Sequence, residues 1–527
     1  MQRELEFRHR SDEERVKGAG MVLDFDEIAR RGVMSKAETM LAKAYGVYTS
    51  RKSGDHMLRI VNPGGVMTSA QVRLLADVSQ EYAAGKLAYT TRQSVQLHKV
   101  QIDSIPAVMR ELAKVGLTTF HGCGDNLRNV AACPWAKDCP HKRFDVLPYS
   151  IETSDYLNSF RDLDNLPRKY KITYSGCGAG CGQPWINCVG VIAIEREKDG
   201  KREQGFRVNI GGGMGWKPFV AQELFSFVPA ARIHDLCRAI CMLFRDHGDR
   251  YNRAKARLKF VVHRKGIEEC RKIVLENLAA EAVDHSGFEI APVVDCGPTW
   301  PDRPLSVTDP LDPNGLAIQC VIIPKGELEA DQLRRVAELA EIFGDKQVHS
   351  TNRQNLEIHG VEPRNVPELR ARIEETGLGA EGFYGIRDIV PCVGVSYCPL
   401  AVTTTRDMYD LLMPVVSRKK YDTIRDKVLI NITGCPNSCS PYRITDIGLR
   451  GMRIRGQSGS EEAYQILIGG RENDFGKLFA ELKVADCVGA IECILDTFLA
   501  NRQGDESLAD NVDCLGAEAY VKEWTDA

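Results

Sequence analysis

A chain of 527 residues exceeds what one hydrophobic core fills, since single cores stop growing near roughly 250–300 residues, so several domains are expected. The formal charge of -3, from 69 basic and 72 acidic residues, excludes a global attraction to nucleic acid or to a membrane surface and leaves room only for local positive pockets. No apolar run approaches the ~18–20 residues of a bilayer crossing, and Met1 to Gly20 lacks a signal-peptide core, so 18 cysteines in so large a chain suggest a reducing cytoplasm and metal ligation.

After an N-terminal extension (1–45), residues 56–61 alternate as a strand, 68–84 carry helical periodicity, 87–99 alternate again and 103–116 read as a helix. This half domain (46–120) leads into a longer mixed lobe (121–290). That lobe holds Cys133-x5-Cys139-Pro140, Lys169-Tyr170-Lys171, Gly176-Cys177-x3-Cys181, a glycine run from Gly211 and the basic run Arg253, Lys255, Arg257, Lys259. Cys237 and Cys241, at i and i+4 on a helical pattern, read as core residues. A Pro-rich linker (291–315), with Pro292, Pro298, Pro301, Pro304, Pro310 and Pro313, precedes strand 316–323, helix 329–343, strand 347–359 and helix 363–376. These make a second half domain (316–378), followed by a second lobe (379–527).

The order recurs because the chain is duplicated. Thr91-Arg92-Gln93 and Asn352-Arg353-Gln354 are 261 positions apart; Cys133-x5-Cys139 and Cys392-x5-Cys398, 259; Cys177-x3-Cys181 and Cys435-x3-Cys439, 258; Gly211-Gly212 and Gly469-Gly470, 258. Chance would not hold four motifs to within three residues of one offset. An α+β architecture follows: two βαβα units pairing into one composite sheet, with an α/β lobe from each repeat around a cleft.

The cysteine pairs sit in loops rich in Gly, Pro and Asn and not in apolar stripes, which favours ligation over packing as small hydrophobes. Thiolates are soft ligands, and a cubane cluster needs four of them converging from loops. Zinc is disfavoured, because its sites show C-x2–4-C pairs whereas two of these pairs are C-x5-C.

Cys392-x5-Cys398 followed by Gly434-Cys435-Pro436-Asn437-Ser438-Cys439 resembles the siroheme and [4Fe-4S] site of the sulfite and nitrite reductases, and the resemblance runs from about residue 50 to 500. It implies a pseudo-two-fold duplicated fold with a composite ferredoxin-like domain. It implies a [4Fe-4S] cluster on Cys392, Cys398, Cys435 and Cys439, with Cys439 bridging to the siroheme iron. Arg92, Arg128, Lys169 and Lys171 match the family's anion-binding positions, and Arg257 and Lys259 its tetrapyrrole-carboxylate positions. Each cation taken singly reads as a solvated surface charge; the case rests on their joint occurrence inside motifs. Gly211 and Gly212 open a loop whose N–H groups could approach a carboxylate, and Asn437 shapes its tight loop or meets such a carboxylate.

The implied reaction is six-electron reduction of a small oxyanion, sulfite to sulfide or nitrite to ammonia. In the resemblance, two lysines are typical of sulfite-reducing members and nitrite-reducing members tend to carry Asn at the second position, so Lys169 and Lys171 favour sulfite. A pyramidal dianion also gains more from an extra cation than a planar monoanion. The chain has no recognisable flavin or nicotinamide module, so electrons come from a partner such as ferredoxin or a flavoprotein. A non-catalytic iron–sulfur carrier or redox sensor is the competing reading; it leaves the matched cations unexplained.

One feature departs from the family. Cys133, Cys139, Cys177 and Cys181 repeat the full cysteine set in the first half. Either they pack as small hydrophobes or they hold a second [4Fe-4S] cluster facing Arg353, Arg387 and Lys427. Leu429 stands at the position of Lys171, so an anion pocket there would be incomplete.

Overall fold

The computed structural model describes residues 16–17, 20, 22–51, 54–297, 299, 311–456 and 459–526. Most of Met1 to Gly20, and Pro298, Pro301, Pro304 and Pro310 of the expected linker, lie outside that set.

Two short capped helices open the described chain. Phe25–Arg31 starts at Asp24, whose carboxylate accepts from Glu27 N–H, and Lys36–Ala42 starts in a Ser35/Glu38 capping box. The central domain then forms from both repeats, and in two sheets where one composite sheet was expected. One sheet runs Val47–Thr49, Asp55–Ile60, Val95–Gln101, Lys86–Tyr89 and then Glu327–Glu329 of the second repeat. The other runs Ala317–Val321, Leu356–Val361, Gln347–Ser350 and then Val66–Thr68 of the first repeat. Each sheet is thus closed by a strand from the other half. Helices Ser69–Tyr82 and Ala330–Phe343 pack together, and one core joins Leu58, Val72, Leu87 and Leu97 to Val321, Leu333, Ile358 and Leu369. Neither half domain can bury its apolar face alone.

The alternating stretches 87–99 and 347–359 are hairpins and not single strands. Lys86–Tyr89 turns into Val95–Gln101, and Gln347–Ser350 into Leu356–Val361. Arg92 and Arg353 therefore sit in turns, where their side chains are free of the ladder. Each turn contains a glutamine in the left-handed region, Gln93 (φ 60°) and Gln354 (φ 65°). That conformation costs roughly 1–2 kcal/mol, offset by a cross-repeat hydrogen bond at each. Gln93 Nε2 donates to Ser350 O (2.9 Å) and Gln354 Nε2 to Tyr89 O (3.0 Å). Gln93 Oε1 also accepts from Ala132 N–H at 3.0 Å. Pro391 stands at that position in the second half and has no N–H, which leaves Gln354 Oε1 buried without a partner.

The lobes repeat one topology. Gln222–Pro229, Lys201–Ile210 and Val189–Lys198 run antiparallel, then Ile172–Ser175 and Ala131–Ala132 add in parallel. The second lobe orders Lys477–Lys483, Gly459–Ile468, Ile447–Gly456, Ile430–Thr433 and Val390–Pro391 in the same way. The two short parallel strands of each lobe end at its cysteine loops. Cys237 and Cys241 are fully buried on helix Ile233–His247, in the core of the first lobe.

Candidate active site between the repeats

In the second lobe, parallel pairing of Val390 with Asn431 and Pro391 with Ile432 brings two loops side by side. Cys392 N–H donates to Ile432 O (2.9 Å), and Gly434 N–H donates to the Cys392 sulfur (3.2 Å). The thiols of Cys392, Cys398 and Cys435 are pushed up by burial and then by one another and by Cys439, so the four sulfurs share one neighbourhood. Among the described residues, no three Cys, His, Asp or Glu side chains close tightly enough on one point to hold a single metal ion. A cubane spreads its four ligands over a wider frame, and loop-borne thiols with backbone N–H groups aimed at them fit it.

Cys439 is the exposed cysteine of the four and opens into a polar cavity of about 620 Å³. Thr91, Arg92, Lys169, Lys171 and Arg257 of the first repeat line that cavity with Asn437, Ser438 and Cys439 of the second; no Asp or Glu does. The Thr91 hydroxyl donates to Cys439 O at 2.7 Å and ties the arginine-bearing turn to the cysteine loop. Arg92 Nη1 donates to Asn187 Oδ1 (3.0 Å) and Nη2 to Ile172 O, while Arg92 Nε and Arg257 Nε are buried without partners. Lys169 and Lys171 lie just before strand Ile172–Ser175, and both reach the cavity.

Burial first, then the neighbouring Arg257, brings the Lys169 ammonium down to about 8. Burial and then Lys169 push Lys171 well below its usual value. Burial also works against the charge of Arg92. A cluster of uncompensated buried cations is costly unless an anion joins it. Unpartnered guanidinium donors, two lysines and no carboxylate therefore fit both a small oxyanion and a carboxylate-bearing tetrapyrrole such as siroheme.

The other predicted residues are placed as follows. Arg128 donates to Gly122 O (2.9 Å) and Gly124 O (3.2 Å) and lies outside the cavity wall, though close enough to depress Lys169. Lys259 Nζ donates to Gly213 O (3.3 Å) and to Lys217 O, and burial followed by Arg257 lowers it to about 7. Arg257 Nη2 contacts the Cys188 sulfur at 3.1 Å. The basic run is not one bed: Arg253 turns to Asp125 (2.8 Å), which Lys17 also meets at 2.8 Å. Gly213, Met214 and Gly215 reach the cavity, with Gly211 and Gly212 one step behind them. A Cβ on Gly212 would fall 2.3 Å from Trp185 O, so that glycine lets the loop press on the 184–186 turn.

Sequence reasoning missed Asn187, which holds Arg92, and Arg443, whose Nε is buried without a partner. No motif marks either one. Thr91 and Asn352, also missed, were recoverable from the repeat itself, because Asn352 Nδ2 donates to Cys181 O (2.6 Å) as Thr91 does to Cys439 O.

The first-half cysteines line a separate, apolar cavity with Trp135, Phe383 and Tyr384. The expected facing cations are otherwise engaged, which corrects that expectation. Arg353 Nε binds Asp388 Oδ2 (2.5 Å) in a buried pair, Arg387 is exposed and meets Asp422 (3.1 Å), and Lys427 meets Asp505 (2.6 Å). For Arg353 the cause is one residue. Asp388 stands where the first half has Asn129, a neutral amide that bonds Asn62 O (2.7 Å) and the Arg92 backbone O (2.9 Å) and leaves the Arg92 charge unspent.

Comparison with known proteins agrees with this geometry. Residues 123–281 and 384–526 match the nitrite and sulphite reductase 4Fe-4S domain, and 50–115 and 311–376 match the nitrite/sulfite reductase ferredoxin-like half domain. The chain is similar to the assimilatory ferredoxin-dependent nitrite reductase of Haloferax mediterranei, at 30% identity over 91% of this chain and 86% of that one. It is similar to the sulfite reductase [ferredoxin] of Mycobacterium tuberculosis, at 30% identity over 94% and 93%. The solved structure of Mycobacterium tuberculosis NirA superposes with a TM-score of 0.84 at 27% identity, covering 97% of this chain and 98% of that one. Matches that span both repeats and nearly the full length leave one conclusion: the chain belongs to the nitrite and sulphite reductase family, oxidoreductases that carry siroheme and a [4Fe-4S] cluster.

Proposed function

We propose that the protein reduces sulfite to sulfide with six electrons delivered singly by ferredoxin, the donor in the names of its relatives. The observation that carries this reading is the pair Lys169 and Lys171 set with Arg92 and Arg257 around a cavity that no carboxylate lines. Siroheme, when bound, supplies the iron that holds the substrate and passes it electrons.

The chain's own residues do the rest. Arg92 presents planar paired donors to oxyanion oxygens, and Arg128 adds positive potential from behind. A Lys169 ammonium brought down to about 8 holds its proton near neutral pH and gives it up readily. Lys171 sits beside it. Arg257 and Lys259 would take tetrapyrrole carboxylates, joined by Asn437 and by the loop that Gly211 and Gly212 set in place. Cys392, Cys398, Cys435 and Cys439 would hold the cluster, the last of them facing the cavity that would take the siroheme.

Nitrite to ammonia is the second reading, in keeping with the name of the Haloferax relative. A cytoplasmic location goes with either; no helix among the described residues is long and apolar enough to cross a membrane. Turnover with a chemically reduced dye, compared on sulfite and nitrite, tests the choice, and a strong nitrite preference overturns it. An iron–sulfur carrier would show cluster absorption without siroheme bands.

A further inference from the structure

We propose that Cys133, Cys139, Cys177 and Cys181 hold a second [4Fe-4S] cluster, and that this one has no tetrapyrrole beside it.

The backbone frame is the same in both halves. Ala131 pairs in parallel with Thr173 and Ala132 with Tyr174, as Val390 pairs with Asn431 and Pro391 with Ile432. Cys133 N–H donates to Tyr174 O at 2.8 Å, where Cys392 N–H donates to Ile432 O at 2.9 Å. The sulfurs also meet N–H groups at matching positions. Gly176 N–H donates to Cys133 Sγ (3.4 Å) as Gly434 does to Cys392 Sγ (3.2 Å). His141 N–H donates to Cys139 Sγ (3.4 Å), and the backbone of Leu400 acts on Cys398. Ala179 and Asn437 serve Cys177 and Cys435 in the same way. Such donors stabilise anionic sulfur, and a thiol that only packs has no use for them. Drift after a duplication would have no reason to keep three of them in register.

The four thiols line one common cavity and face one another across it. No single ion fits them, since no three potential ligands among the described residues converge on a point. Trp135, Phe383 and Tyr384 wall the cavity with apolar surface, which keeps water from a cluster. A tetrapyrrole is excluded by the surroundings. Asp388 occupies Arg353, Leu429 replaces Lys171, and Ser507 and Ala509, at the start of helix Leu508–Leu515, stand at the counterparts of Arg257 and Lys259 at the start of helix Leu258–Lys265.

The test is metal content of the full-length holoprotein, purified without oxygen and reconstituted with iron and sulfide. We expect about nine iron atoms per siroheme, two cubanes and the siroheme iron. A ratio that stays near about five after reconstitution overturns the proposal. A double variant, Cys139→Ala with Cys177→Ala, is expected to lose about four iron atoms and keep its siroheme. If it fails to fold, alkylation of the wild type decides: the four thiols should resist iodoacetamide until iron is chelated, and prompt labelling at all four refutes the cluster.

Discussion

Lys171 carries the substrate assignment, so Lys171→Asn is the sharpest perturbation. Its ammonium reaches the cavity beside Lys169, Arg92 and Arg257, and desolvation and then Lys169 depress it. An entering anion reverses that balance by offering the compensating charge. At an effective dielectric near 20, a unit pair about 4 Å apart is worth about 4 kcal/mol, and a dianion doubles the value; these are ceilings. A hydrogen bond to a charged group contributes about 1.5–3 kcal/mol net. With three cations remaining, we expect a loss of about 2 kcal/mol for the sulfite dianion and about 1 kcal/mol for nitrite. Those losses correspond to falls in kcat/KM of roughly 30-fold and roughly 5-fold. The assay is steady-state turnover on both substrates with a reduced dye at mildly alkaline pH, normalised to siroheme. Equal falls on the two substrates, or a ratio moving toward sulfite, would refute the dianion argument.

Three further outcomes are expected. Arg257→Ala removes a half-buried guanidinium from the cavity wall and should weaken siroheme retention by about 10- to 100-fold, at about 1.5–3 kcal/mol for a charge-assisted bond; the Soret absorbance per protein reads it. Asp388→Ala breaks the buried pair with Arg353 and should destabilise by about 3–5 kcal/mol in urea, with kcat of the folded fraction unchanged because neither residue lines the polar cavity. Burial opposes the charge of His359, but Asp138 (2.6 Å) and Glu357 (3.1 Å) outweigh it and raise the ring to about 9. Its stabilisation is therefore full below pH ~6.5 and is lost as pH rises through about 9, so the melting temperature should drop across that window and His359→Gln should flatten the drop.

The local pattern of residues reaches some features and not others. The repeat, the helices near 69–82 and 330–343 and the cysteine loops were all legible, because periodicity and motif spacing are properties of neighbours along the chain. The turn at Arg92 was not. Thr-Thr-Arg-Gln-Ser carries no glycine or proline, and its left-handed Gln93 is held by Ser350, 257 residues away. The exchange of Val66–Thr68 and Glu327–Glu329 between sheets escaped for the same reason: strand partners across a duplication leave no local mark.

The site divides along that line. Local motifs marked the two cysteine sets and the Arg92 turn, since each recurs in the other half at a nearly constant offset. Only the tertiary structure decided which copy of the design stays charged. Arg92 and Arg353 occupy equivalent turns, and the difference lies in whether the residue packed against each is neutral Asn129 or anionic Asp388. A buried charge answers to what folding places within a few ångströms of it, and that neighbour comes from a distant part of the chain.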